Sequence, residues 1–81
     1  YFVYAISSKT NKYIYVGLTN NIERRIKQHN LGRERTTKTH IPFELILKEE
    51  YVTREKARTR EKILKSGYGK EWLKKLKSNN I

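Results

Sequence analysis

The sequence predicts a small α+β domain of three strands and three helices. Two segments rich in aromatic and β-branched residues, Tyr1–Ile6 and Tyr13–Leu18, flank the polar turn-forming stretch Ser7–Lys12. Two later segments open on Asn or Thr capping residues and carry a mixed apolar and polar stripe at i, i+3, i+4 and i+7 spacing. The chain has 81 residues, 36% of them hydrophobic, which fills the core of a small sheet with helices against it but not a barrel or a doubly wound fold. One domain covering residues 1–81 follows.

The first two segments read as a hairpin. Side chains alternate with period two, so Phe2, Tyr4 and Ile6 share one face of the first strand, and Tyr13, Tyr15 and Gly17 share one face of the second. A four-residue turn over Ser8–Asn11 would pair Ser7 with Lys12 and Tyr4 with Tyr15. Thr19, Asn20 and Asn21 then offer caps for a helix over Asn21–Asn30, stopped by Gly32. On it Ile22, Arg25, Ile26 and His29 form one stripe, with Arg24 on the opposite side. Leu31–Pro42 loses periodicity and reads as an exposed basic loop carrying Arg33, Arg35, Lys38 and His40. Phe43–Val52 returns to strand composition and adds the third strand. Thr53 caps a second helix running to about Ser66, ended by Gly67 and Gly69. On that helix Ala57, Arg60, Glu61 and Leu64 share a stripe, while Glu55 faces solvent. A short helix over Lys70–Lys77 supplies Trp72, Leu73 and Leu76 to the core, and Ser78–Ile81 reads as frayed.

Nineteen Lys and Arg against eight acids give a formal net charge of +11, and every acid is a glutamate. So positive a field suits a polyanionic partner, nucleic acid first, with anionic membrane or acidic protein behind it. Cysteine is absent, which excludes disulfides, thiolate metal sites and a cysteine nucleophile. No apolar run reaches the roughly 20 residues that cross a bilayer, and the start lacks a signal peptide's basic region, so a cytoplasmic protein is expected. The absence of an initial methionine suggests a trimmed chain or an excised domain.

Five polar residues have inward or shared placement: Tyr4 and Tyr15 on the hairpin, Arg25 and His29 on the first helix, Glu61 on the second. A carboxylate can hold a divalent metal, an arginine can clamp a phosphate, and a tyrosine or histidine can take a proton from water. There is no Gly-rich phosphate loop, serine triad or histidine pair for zinc. Taken singly, each of the five also has a plain structural reading. The tyrosines suit a sheet with hydroxyls at its rim, Arg25 can lie along packed apolar surface, and Glu61 can pair with Lys65 or Arg58.

The elements Val3-Tyr4-Ala5, Tyr15-Val16-Gly17, Thr19 through Arg25 with His29, Thr36–Pro42, and Glu55-Lys56-Ala57 with Arg60-Glu61 and Leu64-Lys65 follow one another over some sixty residues. In order and spacing they resemble a GIY-YIG endonuclease domain, most of all the small standalone bacterial members. That resemblance implies a three-stranded antiparallel sheet flanked by helices. It implies Tyr4 as general base or water-positioning group, Tyr15 as a group orienting water and phosphate, and Arg25 as the catalytic arginine. His29 matches a position held by histidine or tyrosine. Glu61 matches the glutamate that binds a single Mg2+ or Mn2+, and Gly17 a place where backbone or substrate comes close. The first motif begins with Val3 where the family pattern has glycine. Trp72-Leu73-Lys74 stands where larger relatives carry an asparagine, with Asn79 and Asn80 only later.

The expected function is metal-dependent hydrolysis of DNA phosphodiester bonds, in the bacterial setting of DNA repair or recombination, by a monomer. Gly17, Arg33, Arg35, Lys38 and His40 are the expected nucleic-acid contacts. The competing expectation is a degenerate member that binds nucleic acid without cutting it. A tyrosine base poses a difficulty, because an ordinary phenol is about one part in a thousand ionised at pH 7, a penalty of roughly 4 kcal/mol.

Overall fold

A computed structural model of the chain describes residues 1–78; the expected fraying beyond Ser78, and Asn79 and Asn80, lie outside the described residues. Strands β1 (Phe2–Ser8) and β2 (Ile14–Thr19) form the hairpin, followed by helix α1 (Ile22–Asn30). A single 3-10 turn at Lys38–His40 precedes strand β3 (Phe43–Glu50), and helices α2 (Arg54–Lys65) and α3 (Gly67–Ser78) close the chain. The sheet is antiparallel in the order β2-β1-β3. The central strand is therefore the first one, and its residues from Val3 to Ser8 are all buried.

The caps act as their residue types require. Asn21 has an extended backbone and its side chain accepts the Arg24 N–H at 3.1 Å, starting α1. Gly32 adopts φ 76° just past the helix end, a conformation glycine takes without steric cost, and its N–H bonds the His29 carbonyl. Thr53 accepts the Lys56 N–H at 3.2 Å to start α2.

Three expectations need correction. The hairpin register pairs Ser7 with Ile14 and Tyr4 with Gly17, not Tyr4 with Tyr15. The connection is longer than a four-residue turn because side chains organise it: the Ser8 hydroxyl accepts the N–H groups of Thr10 and Asn11, and Asn11 Oδ1 accepts that of Tyr13. The slip is two residues, an even number, so every side chain keeps its predicted face. The second correction concerns α3, which begins directly at Gly67 and contains the glycines expected to separate it from α2. Gly69 lies against the Leu64 backbone, where a Cβ would sit 2.5 Å from Leu64 Cα. That close approach sets the rotation of α3: Gly69, Leu73 and Leu76 turn inward at i, i+4 and i+7. Trp72, expected in the core, is turned outward and 38% exposed, with the Arg60 guanidinium 5.4 Å from its ring centroid. The third correction is the Leu31–Pro42 loop, which is not wholly exposed, since Thr37 within it is fully buried.

The sheet separates two clusters. On one face Val3, Ala5 and Val16 pack with Ala57, Leu64 and Leu73 from α2 and α3. On the other, Tyr4 and Ile6 pack with Ile22 of α1 and Phe43 of β3. Complete burial of a leucine such as Leu64 or Leu73 contributes about 1.5–3 kcal/mol.

Candidate active site

Tyr4 projects from the centre of β1 towards α1, and its phenol lies across Gly17 on β2. A Cβ at position 17 would stand 2.5 Å from Tyr4 Oη and 2.6 Å from Cζ, so any larger residue would displace the phenol. Gly17, expected at the substrate, is thus buried beneath Tyr4. Tyr15 is two residues before Gly17 and on the same face, its ring centroid 6.3 Å from that of Tyr4.

The first helix brings its polar stripe onto these rings. His29 Nε2 is 2.9 Å from Tyr4 Oη, and its Nδ1 is 2.9 Å from Thr37 Oγ1. Its ring also lies 4.9 Å from that of Tyr15. One turn earlier, Arg25 Nε donates to Tyr4 Oη at 3.3 Å, while Nη1 donates to Glu34 Oε1 at 2.6 Å and to Gln28 Oε1 at 3.2 Å. The end of α1 is pinned by Asn30, whose Oδ1 accepts the Phe43 N–H at 2.7 Å. Tyr4, Tyr15, Arg25 and His29 therefore meet.

Burial sets the protonation of this group. Loss of solvent pushes the Tyr4 phenol up to about 12, with the Arg25 hydrogen bond opposing it. The same burial, aided by the Arg25 charge, holds His29 below its ordinary value, so the imidazole is neutral at pH 7. Burial works against the Arg25 charge as well, but the bonds to Glu34 and Tyr4 outweigh it and keep the guanidinium ionised. Glu34 is held below the usual carboxylate range, first by the Arg25 hydrogen bond. With Arg25 able only to donate to Tyr4 Oη, the phenol proton is left to point at His29 Nε2, and Nδ1–H then donates to Thr37. This assignment of the tautomer follows from satisfying every partner.

Glu61 is buried on α2, beside Ala57 and Leu64. Those neighbours belong to the opposite side of the sheet from Tyr4. Among the described residues no hydrogen bond or ion pair joins Glu61 to the other four groups. Its carboxylate is met by Lys65 Nζ at 3.2 Å and Arg58 Nε at 3.7 Å, two cations whose side chains are about half exposed. A shallow cavity of about 340 Å³ along the outer edge of β2 has Tyr13, Tyr15, Lys65 and Lys70 in its wall. Through Lys65 this cavity connects the acid's side of the sheet with the phenols' side. It passes round β2, one of the sheet's two edge strands.

Of the expected nucleic-acid contacts, Arg33, Arg35 and Lys38 are exposed on the loop that carries Glu34 and Thr37. His40 stacks on Tyr13 at 3.9 Å between centroids and bonds the Asn11 side chain at 3.0 Å, bracing the hairpin end. Glu34 and Thr37 have direct parts in the site that the sequence did not single out. Neither lies on a periodic element, and nothing in the residue pattern links them to a helix several residues earlier.

A buried phenol on the central strand of a small antiparallel sheet, flanked by an arginine and a neutral histidine, offers groups that can bind a phosphate and move a proton, and the comparison with known families points the same way. The GIY-YIG catalytic domain model matches residues 1–77, and the chain belongs to that family of nucleases. It is 35% identical over 75 residues to UPF0213 protein SH2523 of Staphylococcus haemolyticus, covering 91% of this chain and 90% of that one. UPF0213 protein YazA of Bacillus subtilis is 38% identical over 58 residues, 70% of this chain and 58% of its own. UPF0213 protein CPE1444 of Clostridium perfringens is 32% identical over 81 residues, 99% of this chain and 86% of its own. No solved structure matches the chain with comparable significance.

GIY-YIG nucleases generally use a divalent metal. Among the described residues no three His or Glu side chains are grouped to share an ion. Magnesium, however, is commonly held by one or two carboxylates with water and substrate phosphate completing its shell. Glu61 suits that arrangement: its carboxylate is fixed by a buried helix position and neutralised only by two cations on solvated stems. No helix among the described residues is long and apolar enough to cross a membrane.

Proposed function

We propose that the chain is a metal-dependent endonuclease that hydrolyses DNA phosphodiester bonds in a cytoplasmic setting. The observation that carries this reading is the Arg25–Tyr4–His29–Thr37 chain of hydrogen bonds. Forming a free tyrosinate at pH 7 from a phenol at about 12 would cost about 7 kcal/mol. The neutral His29 offers another route. As a water oxygen bonds to phosphorus, its proton passes to Tyr4 Oη while the Tyr4 proton passes to His29 Nε2, the P–O bond to the departing strand breaks with its electron pair on the leaving oxygen, and no free tyrosinate accumulates. Thr37 receives the Nδ1–H and keeps Nε2 as the acceptor.

Tyr4 has no exposed surface in the free chain. Substrate entry therefore moves Arg25 from Glu34 to a phosphate oxygen, an exchange of one anion for another that opens Tyr4 to water. Tyr15, half-buried beside His29, orients the attacking water from the open side. Glu61 would hold the Mg2+ or Mn2+, which supplies charge to neutralise the phosphoryl and leaving oxygens. Arg33, Arg35 and Lys38 would meet the phosphate backbone next to the Arg25 side of the site.

Plasmid nicking with and without Mg2+ tests the reading. Arg25→Ala and Glu61→Gln should each lower the rate at least a hundredfold while circular dichroism stays unchanged. Undiminished cutting by both would refute the assignment. A second reading, a domain that binds nucleic acid without cutting, is favoured by one observation, the two cations already seated on Glu61. Salt-sensitive DNA binding with no nicking in any metal would establish it in place of the first.

A further inference from the structure

Helix α3 carries Lys70, Lys74 and Lys77 at i, i+4 and i+7, one stripe on its surface. The core does not use this stripe, because Gly69, Leu73 and Leu76 make the inward contacts. Lys70 lines the cavity on the outer edge of β2 that also has Tyr15 and Lys65 in its wall. Lys74 and Lys77 line a second cavity of about 370 Å³, together with Lys12 of the hairpin connection and Ile14. Ile14 belongs to both cavities, so the two are adjacent along the same strand. The result is one groove running from Tyr15 to the hairpin end, bordered by five lysines and floored by the β2 edge. Of these, Lys65 is paired with Glu61 and Lys74 with Glu71, the latter pair strongly exposed. Among the described residues, Lys12, Lys70 and Lys77 take part in no ion pair.

Resting on the nuclease reading, we propose that this groove is a second phosphate track, along which the nucleic-acid backbone continues from the site at Tyr15 past α3 to Lys12. Its chemistry argues for a phosphodiester backbone rather than an acidic peptide. The three lysines of α3 span about 10 Å at 1.5 Å per residue, about the axial length of three phosphate steps of one strand at 3.4 Å each. Lysine here acts as a mobile point charge suited to backbone contact without base readout. The track borders the β2 edge on the α3 face of the sheet and the Arg33–Lys38 loop lies on the α1 face, so cations would meet the backbone from both faces.

Fluorescence anisotropy with a short labelled DNA duplex in metal-free buffer, repeated over a series of salt concentrations, tests this without any need for cleavage. The variant Lys70→Gln/Lys74→Gln/Lys77→Gln should weaken binding at least tenfold and flatten the slope of log affinity against log salt by about 2.7, three contacts at about 0.9 each. A control with the same loss of charge elsewhere, Lys48→Gln/Lys56→Gln/Lys62→Gln, should change the slope by less than about 1. Equal losses in the two variants, or an unchanged slope in the first, would overturn the track while leaving the nuclease reading intact. Wild-type protein that shows the track slope but never nicks DNA would keep the track and remove the cutting function. Wild type that binds no DNA would remove both. Should the triple variant melt differently from wild type, Lys70→Glu alone should still lower affinity, and normal affinity there would again overturn the track.

Discussion

The two faces of the sheet share a central strand and differ in almost everything else. Towards α2 and α3, Val3 and Ala5 enter a layer of Val16, Ala57, Leu64 and Leu73, with the buried carboxylate of Glu61 reaching its cations Lys65 and Arg58 at the margin. Towards α1, Tyr4 enters a layer holding His29 and Thr37, both fully buried and hydrogen-bonded, with Arg25 bridging outward to Glu34. The dry face gains from area removed from water. The polar face also buries Ile6, Ile22 and Phe43, but its hydrogen bonds add little net stability, because each replaces one to water. What it gains is a set of chemical groups held at fixed separations. A domain this small can carry such a site because apolar residues frame it on its own face and a second apolar layer packs on the other.

The sharpest test of that division is Tyr4→Phe. It removes one oxygen from the polar face and should lower single-turnover cleavage at saturating DNA by about 10²–10⁴-fold, while shifting the melting temperature by only a few degrees. Leu73→Ala should do the reverse. A fully buried leucine cut back to alanine costs about 2–5 kcal/mol, a large part of the stability of an 81-residue domain, yet the rate per folded molecule should hold. Equal rate losses in the two variants would show that the faces are not separable.

Acid provides a third way to tell them apart. His29 has its folded pKa below its unfolded value of about 6.5, so the unfolded chain binds the proton more readily. The stability tied to a neutral His29 is full above that value and is lost as pH falls through the folded pKa. Melting temperature should fall from pH 8 to pH 5, and His29→Gln should flatten that fall. An identical acid dependence in the variant would assign the titration elsewhere. The cleavage rate should decline over the same acid range, since a protonated imidazole cannot accept from Tyr4. The smallest effect is expected from Glu34→Gln. The Arg25–Glu34 pair is partly exposed on both sides, so its loss should cost under about 1 kcal/mol of stability. The same change should tighten DNA binding severalfold, because the phosphate no longer competes with a carboxylate for Arg25. Weaker binding in this variant would mean that Glu34 positions Arg25 rather than shielding it.

Much of this was legible in the chain itself. The helical spacing of Ile22, Arg25, Ile26 and His29 was enough to turn Arg25 inward and Arg24 outward, and the same reasoning separated Glu61 from Glu55. Both plain partners foreseen for Glu61, Lys65 and Arg58, are present, and the residue is buried as well. Period-two alternation assigned Tyr4 and Tyr15 to one side even though the turn was misjudged, since a slip of two preserves faces.

The outward turn of Trp72 has a specific reason. Spacing along α3 allows either Trp72 or Leu73 to face the core, and the choice belongs to Gly69, whose missing Cβ lets one helix backbone touch another. Glu34 and Thr37 are out of reach for a related reason. They sit on an aperiodic loop, and their partners are decided by how that loop closes over α1. Periodicity and capping are local properties, carried by neighbours within one or two turns, and so the residue string alone contains the elements and their inward stripes. Which stripe meets which depends on contacts between distant segments. The Lys65 link between Glu61 and the β2-edge cavity, the Arg25–Glu34 pair and the lysine groove beside α3 exist only once the layers have packed.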